Sequence, residues 1–336
     1  MWFHWCASVY YRIMKYTTLG RTGLRVSVAG LGCGGNSRLG QGVGKSPEDA
    51  AALVRDALDA GITYFDTAHS YGTEPVLGRA IPAALRDSVV ISTKARVAQG
   101  SPDAAASVVA SLDQSLRDLN TDHVDVFMFH GVPPHRYAYV RDNLVPVALA
   151  EKEKGKFRFL GISETPPNDP DQRMLAQALP EGIWDVALLG FHMMNQVARQ
   201  VAFPLTRRYG TGAVLMFVVR NIFSKPGRLA DTMRGLAARG QVPAALADDP
   251  DPLAFLVHDS GAASLQDAAY RFARYEPGVD VVLFGTGDRE HLRANVASIL
   301  APPLPPTDVA RLNALFADLR GVGLDGSGHN EALPSR

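Results

Sequence analysis

Three consecutive apolar runs of this chain finish on ionisable side chains. ITYFD, continued by TAHSYG, leaves Asp66 and Tyr71; SVVISTK leaves Lys94; VDVFMFH leaves His130. A fourth run, FRFLGIS, ends on Ser163 and is followed by Glu164. An unbroken apolar run reads as a strand covered on both faces. Ending such a strand on a charge costs desolvation free energy unless a partner meets it. Each residue alone has an ordinary explanation: Asp66 as a cap or ion-pair residue, Tyr71 as a half-buried loop aromatic, Lys94 as a surface lysine, His130 as a satisfied core histidine. Together, at successive strand ends and with both signs of charge, they point to one shared site. A carboxylate, a phenol, an ammonium and an imidazole are the groups with which a site moves protons near neutral pH.

The rest of the chain supplies the scaffold. Residues 15–26 read as a hairpin turning at Gly20 and Gly23. Strands are predicted at 26–32, 62–66, 88–94, 124–130, 157–163, 184–191, 212–219 and 279–285. Amphipathic stretches fill the gaps. Ser46 caps the first helix, with Pro47 at its first position and Gly61 just past its end. A Ser-Pro pair opens the helix before the third crossing, 141–155 is a helix closed by Gly155, and a later helix is interrupted near Pro204. Helical patches near 228–239 and 264–275, then two more after 288 and 305, close the chain. Eight strands, each followed by a helix, predict an α/β fold: a (β/α)8 TIM barrel with an N-terminal β-hairpin and extra C-terminal helices. The barrel is expected over 14–320. Residues 1–13 are expected to be an extension ahead of Met14, and the Gly- and Ser-rich 321–336 a flexible tail.

Composition narrows the function. The 336 residues carry 34 basic and 34 acidic side chains, so bulk charge offers no footprint for nucleic acid or an anionic membrane. No apolar run approaches the ~20 residues of a membrane span. Cys6 and Cys33 cannot build a disulfide framework, and a cytoplasmic location is the expectation. A monomer or small homo-oligomer acting on a small molecule is expected.

Three other patterns carry less. Gly30, Gly32 and Gly35 satisfy G-x-G-x-x-G, but NSRLGQGVGK follows where a dinucleotide fingerprint needs a helix. Tyr11 and Lys15 match a Tyr-x-x-x-Lys spacing with no nucleotide fold before them. The nine histidines offer no H-E-x-x-H motif, and no metal is expected.

FDTAHSYG, with a lysine at the next strand end and a histidine at the one after, resembles the aldo-keto reductase family. The likeness runs from LGRTGLRVSVAGLGCGG to GTGDREHLRANV, most of the chain. It implies an oxidoreductase dependent on NADP, with NAD possible, acting on a carbonyl or alcohol substrate (an aldehyde, ketone or sugar). By resemblance Tyr71 is the proton donor, Lys94 and Asp66 the supporting ion pair, and His130 the fourth member. Hydride delivered to a carbonyl carbon leaves an alkoxide that needs a proton. Free tyrosine, at a pKa of ~10, gives one reluctantly. A nearby ammonium is expected to lower that value.

The resemblance extends to the cofactor side. Gly285, Thr286, His291 and Asn295 match the family's adenosine-phosphate segment, with His291 where relatives carry arginine; Arg289 and Arg293 are candidate substitutes. Ser163 matches the serine that bonds the nicotinamide carboxamide. Glu164 stands in place of the usual asparagine, and Leu188 near the usual glutamine. Gly34, Met216, Phe217 and Arg220 complete the expected cofactor contacts. Asn36, His69, His192 and Phe223 are the expected substrate-pocket residues. The stretch LLGFHMMN loosely resembles the branch that oxidises aldoses at the anomeric carbon, so an NAD-dependent aldose dehydrogenase stands as an alternative, as does a nucleotide-binding regulatory module of low turnover.

Overall fold

The computed structural model describes residues 13–97 and 103–324. Nearly all of the expected extension and most of the expected tail lie outside the described residues, as does Tyr11. A short antiparallel hairpin, β1 (Tyr16–Thr18) and β2 (Arg25–Ser27), precedes the barrel. The barrel strands are β3 (Ala29–Gly32), β4 (Tyr64–Asp66), β5 (Val90–Arg96), β6 (Val124–His130), β7 (Phe157–Ser163), β8 (Val186–Gly190), β9 (Gly212–Met216) and β10 (Val281–Phe284). All eight are parallel, and β10 pairs with β3 to close the ring. The helices are α1 (Pro47–Asp59), α2 (Glu74–Ala80), α3 (Ala104–Asp118), α4 (Tyr137–Tyr139), α5 (Val145–Glu153), α6 (Arg173–Ala178), α7 (Ala202–Tyr209), α8 (Asn221–Ser224), α9 (Arg228–Ala238), α10 (Leu265–Arg274), α11 (Arg289–Leu300) and α12 (Pro306–Phe316).

Two apolar layers follow from the period of two along each strand. Tyr64, Val90, Val126, Met128, Val186, Leu188, Val214, Val281 and Leu283 point into the barrel and form its inner core. Leu19, Leu24 and Val26 of the hairpin join that cluster and stopper the N-terminal end. Residues of opposite parity, such as Phe65, Ile91, Phe127 and Leu160, pack outward beneath the helices. Gly30 makes the inner layer fit, since a Cβ there would lie 2.7 Å from Leu283.

Local signals explain most boundaries. Ser46 and Asp49 form a reciprocal capping box at α1, with Pro47 in the first turn and Gly61 at φ +82° beyond its end. The Ser-Pro pair before α3 lies outside the described residues, and Asp103 stands at its N-cap. The expected break near Pro204 falls earlier. Val197–Arg199 is a separate turn, and Pro204 sits in the first turn of α7, where its missing N–H leaves no helical hydrogen bond unmade. Strand 26–32 is split into β2 and β3, because the chain leaves the hairpin pairing before it joins the barrel. With the N-terminal end filled by the hairpin, the C-terminal strand ends are where a site can open.

Candidate active site

Asp66, the last residue of β4, and Lys94, on β5, both point inward above the apolar layers. The Lys94 ammonium donates to both carboxylate oxygens of Asp66, at 2.7 and 2.8 Å, and to the Thr67 carbonyl at 2.7 Å. Ser92 donates to Asp66 Oδ1 at 2.7 Å. Lys94 is 1% exposed, so this pair is taken almost wholly out of water. Burial works hardest against the Lys94 charge, but Asp66 and then Tyr71 outweigh it, and its pKa stands above the ordinary value.

Tyr71 comes from a single turn, His69–Tyr71, that follows β4. Its ring lies on Gly34, where a Cβ would come within 2.4 Å of the ring carbons. Its hydroxyl lies 3.3 Å from Nε2 of His130, the last residue of β6. The Lys94 Nζ stands 5.3 Å from the Tyr71 ring centre. The four side chains expected to meet therefore do meet, at one end of the barrel. Lys94 lowers the Tyr71 pKa as expected, but another effect outweighs it. Burial raises the Tyr71 pKa, and the opposing pull of Lys94 is the smaller effect, so the side chain holds its proton firmly. His130 is driven the other way: burial first, then Lys94 and Arg96, lower it to about 3, which leaves a neutral imidazole.

The profile of the Aldo/keto reductase family matches residues 30–317. The chain belongs to that family. L-galactose dehydrogenase of Arabidopsis thaliana is 32% identical over 209 residues, covering 60% of this chain; the match spans 64% of that protein's length. L-glyceraldehyde 3-phosphate reductase of Escherichia coli (strain K12) is 28% identical over 340 residues, covering 92% of this chain and 94% of that protein. Among solved structures, aldo-keto reductase AKR11C1 from Bacillus halodurans superposes with a TM-score of 0.68 at 22% identity, over 93% of this chain and 100% of that one. At that identity the superposition speaks to the fold.

At Gly285 a Cβ would meet only Gly32 O at 3.5 Å and Ser37 Oγ at 3.7 Å, and Gly32 is similarly open. These glycines leave the backbone of β3 and of the turn after β10 uncovered by side chains of their own. Met216 ends β9 and packs against the inner core, and Phe217 follows it. Phe217 adopts φ +68°, a conformation a bulky residue rarely takes, and the Arg220 guanidinium lies 4.0 Å over its ring. Ser163 is buried and donates to the Glu164 carbonyl at 3.2 Å.

Glu164 does not share the inward face. Phe159, Gly161 and Ser163 alternate toward the barrel, so the next residue turns outward. Its Oε1 accepts from the Gly190 N–H and, at 3.3 Å, from Gln172 Nε2, and burial raises its pKa to about 8. Asp66 and Glu164 thus face different surroundings.

The expected substrate residues divide. Asn36 is exposed on the loop after β3. His69 lines a cavity of 320 Å³ with Ser70, Arg96, Ser107, Ala110 and Ser111. His192 is 0% exposed and packs edge-on against Phe223 at 5.5 Å, and a Cβ at Gly323 would lie 3.2 Å from its ring. It and Phe223 form a wall beneath residues 321–324 rather than an open surface.

Sequence reading missed several neighbours. Glu74, at the start of α2, is 1% exposed, accepts from the Thr93 hydroxyl at 2.5 Å and lies 3.7 Å from His69 Nδ1. His69, Glu74 and Asp118 bring donor atoms within 4.8 Å of one another from three separate elements, a grouping that spacing along the chain cannot reveal. Arg96 continues the parity of Lys94 and sits in register with His130. Two-residue alternation beyond Lys94 was the available signal for it.

Gly285 and Thr286 lie in the turn from β10 into α11, and His291 and Asn295 lie on α11 itself. Arg289 does not face that turn: its guanidinium is paired with Asp56 of α1.

Proposed function

We propose that this chain is an NAD(P)(H)-dependent oxidoreductase that interconverts a carbonyl and an alcohol, with Tyr71 as the proton donor and acceptor. The observation that carries the reading is the Tyr71 hydroxyl 3.3 Å from His130 Nε2, above a buried Lys94–Asp66 pair. Bound nicotinamide would supply or accept the hydride. The protein's task is to hold the carbonyl and manage one proton.

His130, neutral because of its lowered pKa, donates or accepts a hydrogen bond at the substrate oxygen without competing as a charged acid. Tyr71 keeps its proton in the resting site because burial raises its pKa. As negative charge grows on the substrate oxygen, Tyr71 releases that proton to it. The Lys94 ammonium stabilises the phenolate left behind. Asp66 fixes the position of Lys94 and keeps it charged. In the alcohol-oxidising direction the same phenolate takes the alcohol proton. Ser163, Glu164, Gly34, Met216, Phe217 and Arg220 frame the nicotinamide side, Glu164 acting from behind through Gly190.

The named relatives act on sugars or small hydroxyaldehydes, and that class is the proposed substrate. Among the described residues no helix is long and apolar enough to cross a membrane. A cytoplasmic location is part of the proposal. The test is a panel of aldoses and small aldehydes, followed by nicotinamide absorbance with each dinucleotide. Turnover that Tyr71→Phe abolishes supports the reading. Turnover of no carbonyl or alcohol, with a dinucleotide firmly bound, would point instead to a regulatory nucleotide-binding module.

A further inference from the structure

Arg96 is the last residue of β5, two positions past Lys94, so its side chain leaves the strand on the same face as the ammonium of the tetrad. β5 lies between β4 and β6 in the ring, and Arg96 stands in register with His130. After burial and Lys94, its charge is a further influence on the pKa values of both Tyr71 and His130. A cation thus stands at the barrel mouth beside the two groups that would meet the substrate oxygen.

Other arginines of the fold are committed to carboxylates: Arg86 pairs with Asp125, Arg199 with Glu276 and Arg271 with Asp267. Arg96 makes no ion pair or hydrogen bond among the described residues. It lines the cavity of 320 Å³ together with His69, Ser70, Ser107, Ala110 and Ser111. Ser107 and Ser111 lie one turn apart on α3, and His69 and Ser70 belong to the turn that carries Tyr71. The lining therefore offers one guanidinium, three hydroxyls and an imidazole, and no carboxylate. Glu74, whose carboxylate lies 3.7 Å from His69 Nδ1, is buried and accepts from the Thr93 hydroxyl at 2.5 Å.

We propose that this cavity receives a carboxylate carried by the substrate, and that Arg96 is the residue that selects acid-bearing carbonyl compounds. The proposal rests on the oxidoreductase reading above and narrows the substrate class of that same site. A planar guanidinium meets a carboxylate with two parallel hydrogen bonds. Its single charge matches a monoanion, and the serine hydroxyls are placed to donate to the lone pairs that remain. A phosphate dianion would leave charge unmatched, because the lining holds no second permanent cation. An arginine that were only a solvated strand end would treat charged and neutral substrates alike; one that binds a carboxylate discriminates between them.

The test is kcat/KM of the full chain for pairs of carbonyl compounds that differ in one acidic group: succinic semialdehyde against butanal, and glucuronate against glucose. Glyceraldehyde 3-phosphate against glyceraldehyde is the phosphate arm. The ratio within each pair is the readout, because Arg96 also acts on Tyr71 and His130 and its removal can change the rate on every substrate. The wild type should favour the carboxylate member of at least one pair by about tenfold to a hundredfold, mainly through KM, and added salt should shrink that preference. Arg96→Met keeps the apolar stem without the charge and should abolish the preference. Arg96→Lys keeps the charge without the fork and should retain part of it. Equal kcat/KM within both carboxylate pairs would overturn the proposal, and so would a preference that survives Arg96→Met or one confined to the phosphate pair. Turnover of no member of any pair would overturn the oxidoreductase reading, and the proposal with it, a result distinguishable from turnover without preference.

Discussion

The Lys94 ammonium grips both oxygens of Asp66 at 2.7 and 2.8 Å in a site from which water is almost excluded. Such a pair is worth little against two well-packed apolar groups, but breaking it strands a charge. Lys94→Met should therefore destabilise the fold by about 3–5 kcal/mol. The double variant with Asp66→Asn should recover much of that loss. Denaturant unfolding of the two singles and the double gives the coupling directly, and additive losses would contradict an interaction this close.

Gly34 sets the position of Tyr71. Its backbone is not in the left-handed region, so alanine is conformationally permitted, yet the added Cβ would lie 2.4 Å from the Tyr71 ring. Gly34→Ala should move the phenol and lower kcat by roughly tenfold to a hundredfold, with stability little changed. Unchanged kcat would show that the ring is not held by this contact.

His130 should leave no mark on the pH profile near its ordinary value. Burial lowers its pKa to about 3, so the imidazole is neutral throughout the working range. The reductive kcat/KM should show no limb near pH ~6.5. An acid limb there that vanishes in His130→Gln would mean that the ring does protonate in the working site.

Glu164 links stability to pH. Burial raises its pKa from 4.5 to about 8 in the folded chain. The folded state therefore keeps a proton that the unfolded state releases. Its stabilising contribution is full below about pH 4.5 and is lost as pH rises to about 8, at up to ~1.4 kcal/mol per pH unit. Glu164→Gln preserves an acceptor for the Gly190 N–H without that linkage. Its melting temperature should exceed that of the wild type at pH ~8, and the difference should shrink toward pH ~5. A constant difference across that range would place the Glu164 pKa near its ordinary value.

Much of this was legible in the sequence because barrel strands advertise themselves. VDVFMFH and FRFLGIS are continuous apolar runs, and β6 and β7 begin and end with them. Their terminal residues fall at the barrel mouth by geometry alone, which is why Asp66, Lys94 and His130 were readable as a group. What was not legible depends on contacts between distant segments. Lys45 meets Gly287 across 242 residues and Arg289 meets Asp56 across 233, and neither leaves a local trace. The direction of the Tyr71 pKa shift depends on how deeply its ring is buried, which residue type does not encode. The outward turn of Glu164 was implicit in the alternation of β7, but the resemblance to an asparagine position masked it.

The central claim is that the Tyr71 hydroxyl carries the proton. Single-turnover oxidation of bound nicotinamide dinucleotide by an aldehyde, compared between the wild type and Tyr71→Phe, tests it most directly, with dinucleotide affinity measured in parallel. The account predicts a fall of about a hundredfold to ten-thousandfold in the chemical step with affinity unchanged. A Tyr71→Phe protein that turns over at the wild-type rate would contradict it.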